Sequence, residues 1–341
     1  MHIPDGFVSG PMNGTAAVVS AATVGFALWR AKRELHEKEF RVPLLATMAA
    51  FVFAAQMLNF PIGGGTSGHF LGAVTVAALL GPWSACIVLT LVLAIQGLLF
   101  GDGGITALGS NILNMAIIGA LIPYIFMRGL RALLPAGRGG YVAAAAAASW
   151  VSVVLASSVC ALELALSGTS PMSVAFPAMA GTHAIIGIGE ALICTAVLTA
   201  VAAARPDIIP SWAKLEQTES GHNLVRRSVW TRRQSTATAL AAAGLVVAIA
   251  LAIFGGPFAS SSPDGLEKVA EDKGFLQAAS AEKTVWTKSP FPDYQVRGIE
   301  SEGVSTSLAG FAGTVLVFGL GFVAIRLVAR APDKAGGARG K

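Results

Sequence analysis

The chain has 341 residues, of which 54% are hydrophobic and 13% charged, and it carries a formal net charge of +5. Its mean hydropathy is +0.66, whereas about a quarter of the residues in a soluble domain are charged. This composition excludes an ordinary soluble domain and predicts a polytopic all-α membrane protein. Membrane lipid is therefore an expected partner, and nucleic acid is not.

The first two residues, Met1 and His2, form a chelating unit by themselves. The free amine, the amide nitrogen of His2 and its imidazole Nδ1 can close one five-membered and one six-membered ring around a cation. This nearly planar arc suits Ni(II), Cu(II) and Co(II), although a histidine near the start also occurs by chance. The chelate requires Met1 to be retained with a free amine. Residues 1–12 lack a basic n-region and a cleavage site, so no removable signal peptide is expected.

Nine apolar stretches are predicted to cross the membrane as helices, since a crossing takes roughly 20 residues. These spans are 13–29, 42–60, 69–81, 83–100, 108–127, 141–166, 183–204, 237–255 and 308–327. The third span is short, so it is either steep or extended into the loop before it. Three cysteines fall inside spans without C-x-x-C spacing, which predicts buried thiols and no disulfide framework. They are Cys86, Cys160 and Cys194.

The positive charges orient this arrangement. With nine spans, all but five of the 24 lysines and arginines fall on one side, and the five exceptions share the long 256–307 loop. The positive-inside rule then predicts a prokaryotic cell-membrane protein with an extracytoplasmic N-terminus. The same topology places Met1, His2 and the 61–68 loop on the outer side, as a shared metal site requires.

The stretch 60–69 places one imidazole, His69, after a run of glycines. Because glycine lets the backbone pass close to another segment, His69 could supply the fourth nitrogen of the Met1-His2 plane. The glycine run is no phosphate loop, since no Lys-Ser/Thr pair follows it, and G-x-x-x-x-G-K-[ST] occurs nowhere in the sequence. The chain is therefore not expected to be an enzyme. Energy for uphill import would come from another chain or from an ion gradient.

Three motifs, MHIPDGF at 1–7, GGTSGH at 64–69 and the stretch 181–191, resemble signatures of the CbiM/NikM family. This family comprises the substrate-capture subunits of energy-coupling-factor importers for cobalt and nickel, and the resemblance covers roughly residues 1–205. The motif PDGLE at 263–267 resembles the signature of the small NikN-like accessory component. The resemblance implies that a transmembrane coupling subunit and ATPase subunits complete the importer. It also implies that Ni(II) or Co(II) is cargo and that there is no resident cofactor.

The predicted organisation has four parts. They are a seven-span metal-capture domain (1–205), a basic cytoplasmic linker (206–236), a two-span hairpin with the PDGLE loop outside (237–330) and a cytoplasmic tail (331–341). Within the outer loop, Asp264-Gly265 predicts a tight turn and 266–275 a short amphipathic helix near the capture site. The 256–307 loop contains no His or Cys, so it is not expected to own the primary metal site.

Two ionisable residues, His183 and Glu190, lie seven apart on one face of the seventh span. Such groups are costly in a membrane and are usually functional or paired. They could orient His69 or the N-terminal segment from a second shell around the metal, or form a structural hydrogen bond between helices. Glu163 is expected to snorkel from the outer end of its span. His36 and His222 are expected to be solvated in cytoplasmic loops.

The sequence thus favours a substrate-specific component of an ATP-driven importer, which captures Ni(II) or Co(II) on the outer face. Its expected ligands are Met1, His2 and His69. One alternative is a proton-coupled nickel/cobalt permease with His183 and Glu190 as a proton relay. Another is a metal sensor or assembly factor that transports nothing. A square-planar nitrogen set favours nickel without excluding cobalt.

Overall fold

The computed structural model describes residues 1–37, 41–204, 209, 228–279 and 284–330, which form a bundle of helices. The prediction of a polytopic all-α membrane protein is confirmed. Among the described residues, seven helices have the length and apolar composition of a membrane crossing: Gly10–Lys32, Pro82–Phe100, Leu108–Leu133, Arg138–Leu166, Met172–Ala204, Thr238–Phe258 and Glu302–Arg330. The predicted tail (331–341), most of the predicted linker and His222 lie outside the described residues, as does the side chain of His36.

Within the predicted capture domain, the described elements follow one another with short connections. The capture domain contains α1 (Gly10–Glu37), α2 (Arg41–Gln56), β1 (Phe60–Gly63), β2 (Thr66–Gly68), α3 (Ala73–Leu80), α4 (Pro82–Ile95), α5 (Leu108–Asn111), α6 (Gly119–Leu133), α7 (Arg138–Leu166) and α8 (Met172–Ala204). The fused part contains α9 (Ser228–Ala250), α10 (Gly265–Asp272) and α11 (Glu302–Arg330). Wider π-type turns continue α4 over Gln96–Phe100, α5 over Ile112–Ile118 and α9 over Leu251–Gly255.

Two of the predicted spans are too short for a full crossing. The 42–60 stretch forms α2, which has 16 residues, and the 69–81 stretch contains only the eight residues of α3. At 1.5 Å per residue these helices are about 24 Å and about 12 Å long, whereas the hydrocarbon core is about 30 Å thick. Of the nine predicted spans, seven are long enough for a full crossing among the described residues, and the other two are the shorter helices α2 and α3.

Both short helices are surrounded by protein. The fused helices α9 and α11 pack against α2, and α4 also contacts it. Every residue of α3 is buried, with α4, α6, α7 and α8 around it. Because its backbone groups are paired and lipid does not reach it, a helix in such a position need not match the bilayer thickness. Hydropathy alone cannot distinguish this case from a full crossing.

Small residues bring the fused hairpin close to the capture domain. Gly313 of α11 lies directly against the rings of Phe53 and Phe100, and Gly310 lies against Met57. On the other side of α2, the Thr47 hydroxyl donates to the Ala241 carbonyl at 3.0 Å. Helices approach this closely in membranes where one of them lacks side-chain bulk. The hairpin is therefore packed against the capture domain along α2.

Two expectations about polar and thiol side chains have clear outcomes. Glu163 does not snorkel: it is fully buried, and Asn114 Nδ2 donates to its Oε2 at 2.6 Å. The prediction for Glu163 was wrong because Asn114, on the π-type turn that continues α5, gives the buried carboxylate a hydrogen-bond partner. The three cysteines are free and buried, as predicted.

The packing of α11 on α2 yields a stability prediction. A Cβ at Gly313 would overlap the rings of Phe53 and Phe100, so Gly313→Ala should lower the stability by about 1–3 kcal/mol through overpacking. The matched control is Gly319→Ala on the same helix, where no atom lies within 4 Å of the added Cβ. The measurement is thermal unfolding of both variants in detergent. Equal unfolding midpoints for the two variants would contradict this packing.

Candidate metal centre

The N-terminal segment runs into the bundle instead of lying on its surface. Met1 is 6% exposed, His2 8% and Ile3 0%. The Asn111 side chain holds the backbone of Ile3 with a pair of hydrogen bonds: Ile3 N–H donates to Asn111 Oδ1 at 2.8 Å, and Asn111 Nδ2 donates to Ile3 O at 3.1 Å. This double contact fixes the chain one residue after His2.

The loop after the π-type turn of α4 supports the segment from a second side. Gly104 N–H donates to Ile3 O at 2.8 Å, and a Cβ on Gly104 would collide with the backbone of Asp5. The buried Asp5 carboxylate accepts hydrogen bonds from Thr106 N at 2.9 Å, Thr106 Oγ1 at 2.6 Å and Val285 N at 3.1 Å. Glycine is needed at 104 because backbone meets backbone there.

The terminal amine lies between two functional groups that are distant in sequence. It donates to His69 Nε2 at 2.6 Å and to Asp264 Oδ2 at 2.5 Å. The other nitrogen of His69, Nδ1, faces the Phe70 carbonyl at 3.2 Å. A proton on Nδ1 satisfies that carbonyl and leaves the Nε2 lone pair directed at the amine.

Glu190 and Gln56 fix the backbone that follows His69. The Glu190 carboxylate accepts from Leu71 N at 2.6 Å and from Gly72 N at 2.9 Å, while Gln56 Nε2 donates to Leu71 O at 2.9 Å. These contacts agree with the hypothesis that Glu190 supports His69, although it acts through the backbone and not through the imidazole.

The His2 imidazole belongs to a ring of four polar side chains. Its Nε2 faces Gln96 Oε1 at 3.3 Å, and its Nδ1 faces Asp102 Oδ1 at 3.1 Å. Tyr294 of the fused part closes the ring, because its hydroxyl accepts from Gln96 Nε2 at 3.0 Å and donates to Asp102 Oδ2 at 2.6 Å. Asp102, Gln96 and Tyr294 were missed by the sequence analysis, since no motif connects them to His2.

The order of donors around this ring determines the tautomer of His2. Gln96 donates its amide N–H to Tyr294, so its oxygen accepts a hydrogen bond from the N–H at His2 Nε2. The lone pair of His2 Nδ1 therefore faces a carboxyl oxygen of Asp102, and two acceptors this close need a proton or a cation between them. Burial raises the pKa of Asp102 above its usual value, which is the direction that favours a proton at this contact.

The two imidazoles are stacked and are kept neutral. Their ring centroids lie 5.0 Å apart. Burial and the positive terminal amine lower the pKa of His2 to about 3 and the pKa of His69 to about 3. Burial would raise the pKa of Asp264, but the amine, His69 and the Glu267 N–H together hold it below its usual value. Neutral imidazoles beside an anionic carboxylate are the protonation states that a metal cation requires.

The PDGLE segment approaches this centre directly. Asp264 caps α10, since its Oδ1 accepts from the N–H groups of Leu266 and Glu267, both at 2.9 Å. The preceding Pro263 carbonyl accepts from Ser67 N at 2.9 Å, two residues before His69. The expected short helix near the capture site is confirmed, with bounds Gly265–Asp272.

His183 has a different environment from the expected one. Its Nδ1 bonds to the Met179 carbonyl at 2.8 Å within α8, and its buried Nε2 has no hydrogen-bond partner among the described residues. It lines a cavity of about 20 Å³ together with Met1 and His69, which is room for about one water molecule. His183 therefore shares a cavity with the centre but does not orient His69 through a hydrogen bond.

The structure brings together the three residues that the sequence analysis expected as ligands, Met1, His2 and His69. Within the part of the chain that the structure describes, His2, His69 and Asp264 each offer a ligand atom, and these atoms lie within 4.8 Å of one another. With the amine beside them, the donor set contains nitrogen atoms and one carboxylate oxygen. Such a set suits Ni(II), Co(II), Cu(II) or Zn(II) better than Mg²⁺ or Ca²⁺.

Comparisons with known proteins agree with this chemistry. A model of the cobalt uptake substrate-specific transmembrane region, CbiM, matches residues 2–208, and a model of the PDGLE domain matches residues 238–330. An Archaeoglobus fulgidus protein, provisionally named fused nickel transport protein NikMN, is 34% identical over 96% of this chain and 98% of its own length. The fused nickel transport protein NikMN of Rhodobacter capsulatus is 39% identical over 59% of this chain and 61% of its own.

Solved structures also resemble this chain over more than half of its length. A crystal structure of a transition metal transporter superposes with a TM-score of 0.54 at 35% identity, covering 60% of this chain and 93% of that one. The chain is thus a multi-pass membrane protein of the CbiM family with a fused PDGLE domain, and a cobalt or nickel transport component of the CbiM/NikM type.

Proposed function

We propose that this protein captures Ni(II), or Co(II), on the outer face of the cell membrane and delivers it to an ATP-driven energy-coupling-factor importer. The observation that carries the proposal is the terminal amine of Met1, held 2.6 Å from His69 Nε2, whose lone pair is directed at it. An amine and an imidazole at this distance already have the separation of neighbouring ligands on one small cation.

Four nitrogens would form the binding plane. They are the Met1 amine, the His2 amide nitrogen, His2 Nδ1 and His69 Nε2. Among the described residues no acceptor is bound to the His2 amide N–H, so metal can displace that proton without breaking a hydrogen bond. Four nitrogens that include an amide favour low-spin Ni(II), so nickel is the preferred cargo and cobalt the alternative.

Protons occupy the places of the metal in the metal-free protein. The terminal ammonium donates to His69 Nε2, and His2 Nδ1 lies 3.1 Å from Asp102 Oδ1, a contact that a shared proton would satisfy. A cation entering the plane replaces these protons, while Asp264 and Asp102 offset its charge. In the absence of metal, the hydrogen bonds to His69 and Asp264 stabilise the buried charge of the terminus.

The direction of capture and the energy source are the less direct parts of the proposal. The charge distribution supports an extracytoplasmic centre. The family supports a transmembrane coupling subunit and ATPase subunits as partners. The sequence contains no phosphate-binding motif of its own, so an ATP-driven importer would need other chains to bind the nucleotide. The carriers named NikMN above are described as nickel transport proteins, which supports nickel for this chain.

The terminal amine provides the sharpest test of capture. Adding one residue before Met1 should abolish high-affinity Ni(II) binding, since the buried pocket has no room for an extension and the ligand becomes an amide. His69→Ala should have the same effect by removing the fourth nitrogen. Both are measured by competition titration of the purified full-length protein against a chelator. Wild-type affinity in the extended protein would refute the chelate.

The support of His69 through its backbone can be tested separately. Glu190→Gln leaves one of the Leu71 and Gly72 N–H groups facing an amide N–H, so the His69 loop should loosen and Ni(II) affinity should fall by about 10–100-fold. Glu163→Gln is the matched control, because this buried carboxylate bonds to Asn114 and not to the His69 loop. If the two variants bind Ni(II) equally well, Glu190 has no role at the centre.

Transport assays distinguish an importer subunit from a permease. The full-length chain alone in liposomes should accumulate no Ni(II), either with ATP or with a proton gradient. Accumulation should appear when the coupling subunit and ATPase subunits are added with ATP. Accumulation driven by a proton gradient in the chain alone would support the permease, and accumulation with ATP alone would exclude an importer subunit.

A further inference from the structure

We propose that Asp264, from the fused PDGLE domain, is a fifth metal ligand that binds along the axis of the nitrogen plane. The inference rests on the proposed capture function, because it assumes the four nitrogens described above. It assigns to the fused domain a direct part in metal binding and in the choice between metals.

The position of the carboxylate carries the proposal. Asp264 Oδ2 lies 2.5 Å from the Met1 amine and 4.0 Å from His69 Nε2. Its ligand atom is also within 4.8 Å of the ligand atoms of both histidines. The oxygen is close to the amine and within reach of a cation that the amine binds. If the four nitrogens fill the plane around that cation, the oxygen can bind it only from above or below the plane.

The two oxygens of this carboxylate have separate roles. Oδ1 accepts both capping N–H groups at the start of α10, which fixes the orientation of the side chain. Oδ2 is not used by the cap and points at the amine. A cap and a ligand can therefore coexist in one residue, and the cap holds the ligand oxygen in place before metal arrives.

The backbone around Asp264 is docked onto the segment that carries His69. Ser67 donates from its N–H to the Pro263 carbonyl at 2.9 Å and from its hydroxyl to the Ser262 carbonyl at 2.8 Å. On the other side, Gly265 lies against the His183 ring, and an added Cβ would come within 2.9 Å of it. These contacts position Asp264 relative to His69 with little freedom.

An axial oxygen affects the two candidate metals differently. Low-spin Ni(II) in a plane of four nitrogens binds axial ligands weakly, whereas Co(II) favours higher coordination numbers and accepts carboxylate oxygen. Asp264 should therefore raise the affinity for Co(II) more than the affinity for Ni(II), and so reduce the ratio of the two affinities that the nitrogen plane alone would give. The fused domain would then determine how selective the capture domain is.

The test compares Asp264→Asn with Asp272→Asn in the full-length protein. Asn is as good an N-cap as Asp, so Asp264→Asn keeps the cap of α10 and removes the anionic oxygen. Asp272 is the matched control, since it lies on the same helix and pairs with Lys268 at 2.9 Å, away from the centre. Affinities for Ni(II) and Co(II) are measured by chelator competition, and the Ni(II) geometry by X-ray absorption at the nickel K edge.

We expect Asp264→Asn to lower Co(II) affinity by about tenfold and Ni(II) affinity by less than about threefold. The pre-edge feature of planar four-coordinate Ni(II) should be weaker in the wild type and in Asp272→Asn than in Asp264→Asn. A wild-type spectrum that already shows the full planar feature would overturn the proposal. So would equal losses for the two metals, which would mean that Asp264 only places the amine, or affinities unchanged for both.

Failure of this inference is distinguishable from failure of the capture function. If His69→Ala abolishes Ni(II) binding while Asp264→Asn changes neither selectivity nor spectrum, the nitrogen plane stands and the axial ligand does not. If His69→Ala leaves Ni(II) binding intact, the capture proposal fails first.

Discussion

The burial of a charged chain terminus is the constraint on which the rest of this structure depends. A buried ammonium group is expensive unless it is paired and hydrogen-bonded. Here His69 and Asp264 supply both, at 2.6 Å and 2.5 Å. The remaining contacts of the segment, with Asn111 and with the loop at Gly104, hold the backbone so that the amine cannot withdraw to water.

The same constraint joins the two parts of the chain. The amine needs an anion, and Asp264 of the fused domain provides it. Tyr294 of the fused domain also closes the hydrogen-bond ring around His2, although both it and Asp293 have positive φ, at 58° and 52°. Backbone strain of this kind costs roughly 1–3 kcal/mol per residue and persists where the surrounding contacts demand it. The fused hairpin is thus part of the centre as well as a neighbour of α2.

Much of this could be predicted from the sequence. Hydropathy predicts the long helices because each must satisfy its backbone hydrogen bonds in lipid. It also predicts α2 and α3 as membrane crossings, because hydropathy does not distinguish contact with lipid from contact with neighbouring helices. The pair Met1-His2 and the isolated His69 could be predicted as one cluster, since ligand chemistry and positive-inside topology both place them together. The short helix near the centre was likewise predicted, from the 266–275 stretch, whereas the role of Asp264 as its N-cap was not.

The rest of the centre could not be predicted because it depends on tertiary contacts alone. Gln96 and Asp102 resemble any polar residues at the end of a span, and only the ring with Tyr294 gives them a role. Glu163 has the sequence context of a snorkelling side chain, yet it is buried and accepts a hydrogen bond from Asn114. The absence of His and Cys from the 256–307 loop argued against a metal role there, but a carboxylate is also a ligand.

Anomalous scattering from the Ni(II)-loaded full-length protein, recorded at the nickel K edge, would test the central claim most directly. The account predicts one strong peak at about 2 Å from the Met1 amine, His2 Nδ1 and His69 Nε2, the usual distance of a metal–nitrogen bond. A strongest peak away from Met1, beside His183 Nε2 or among the carboxylates of α10, would contradict it.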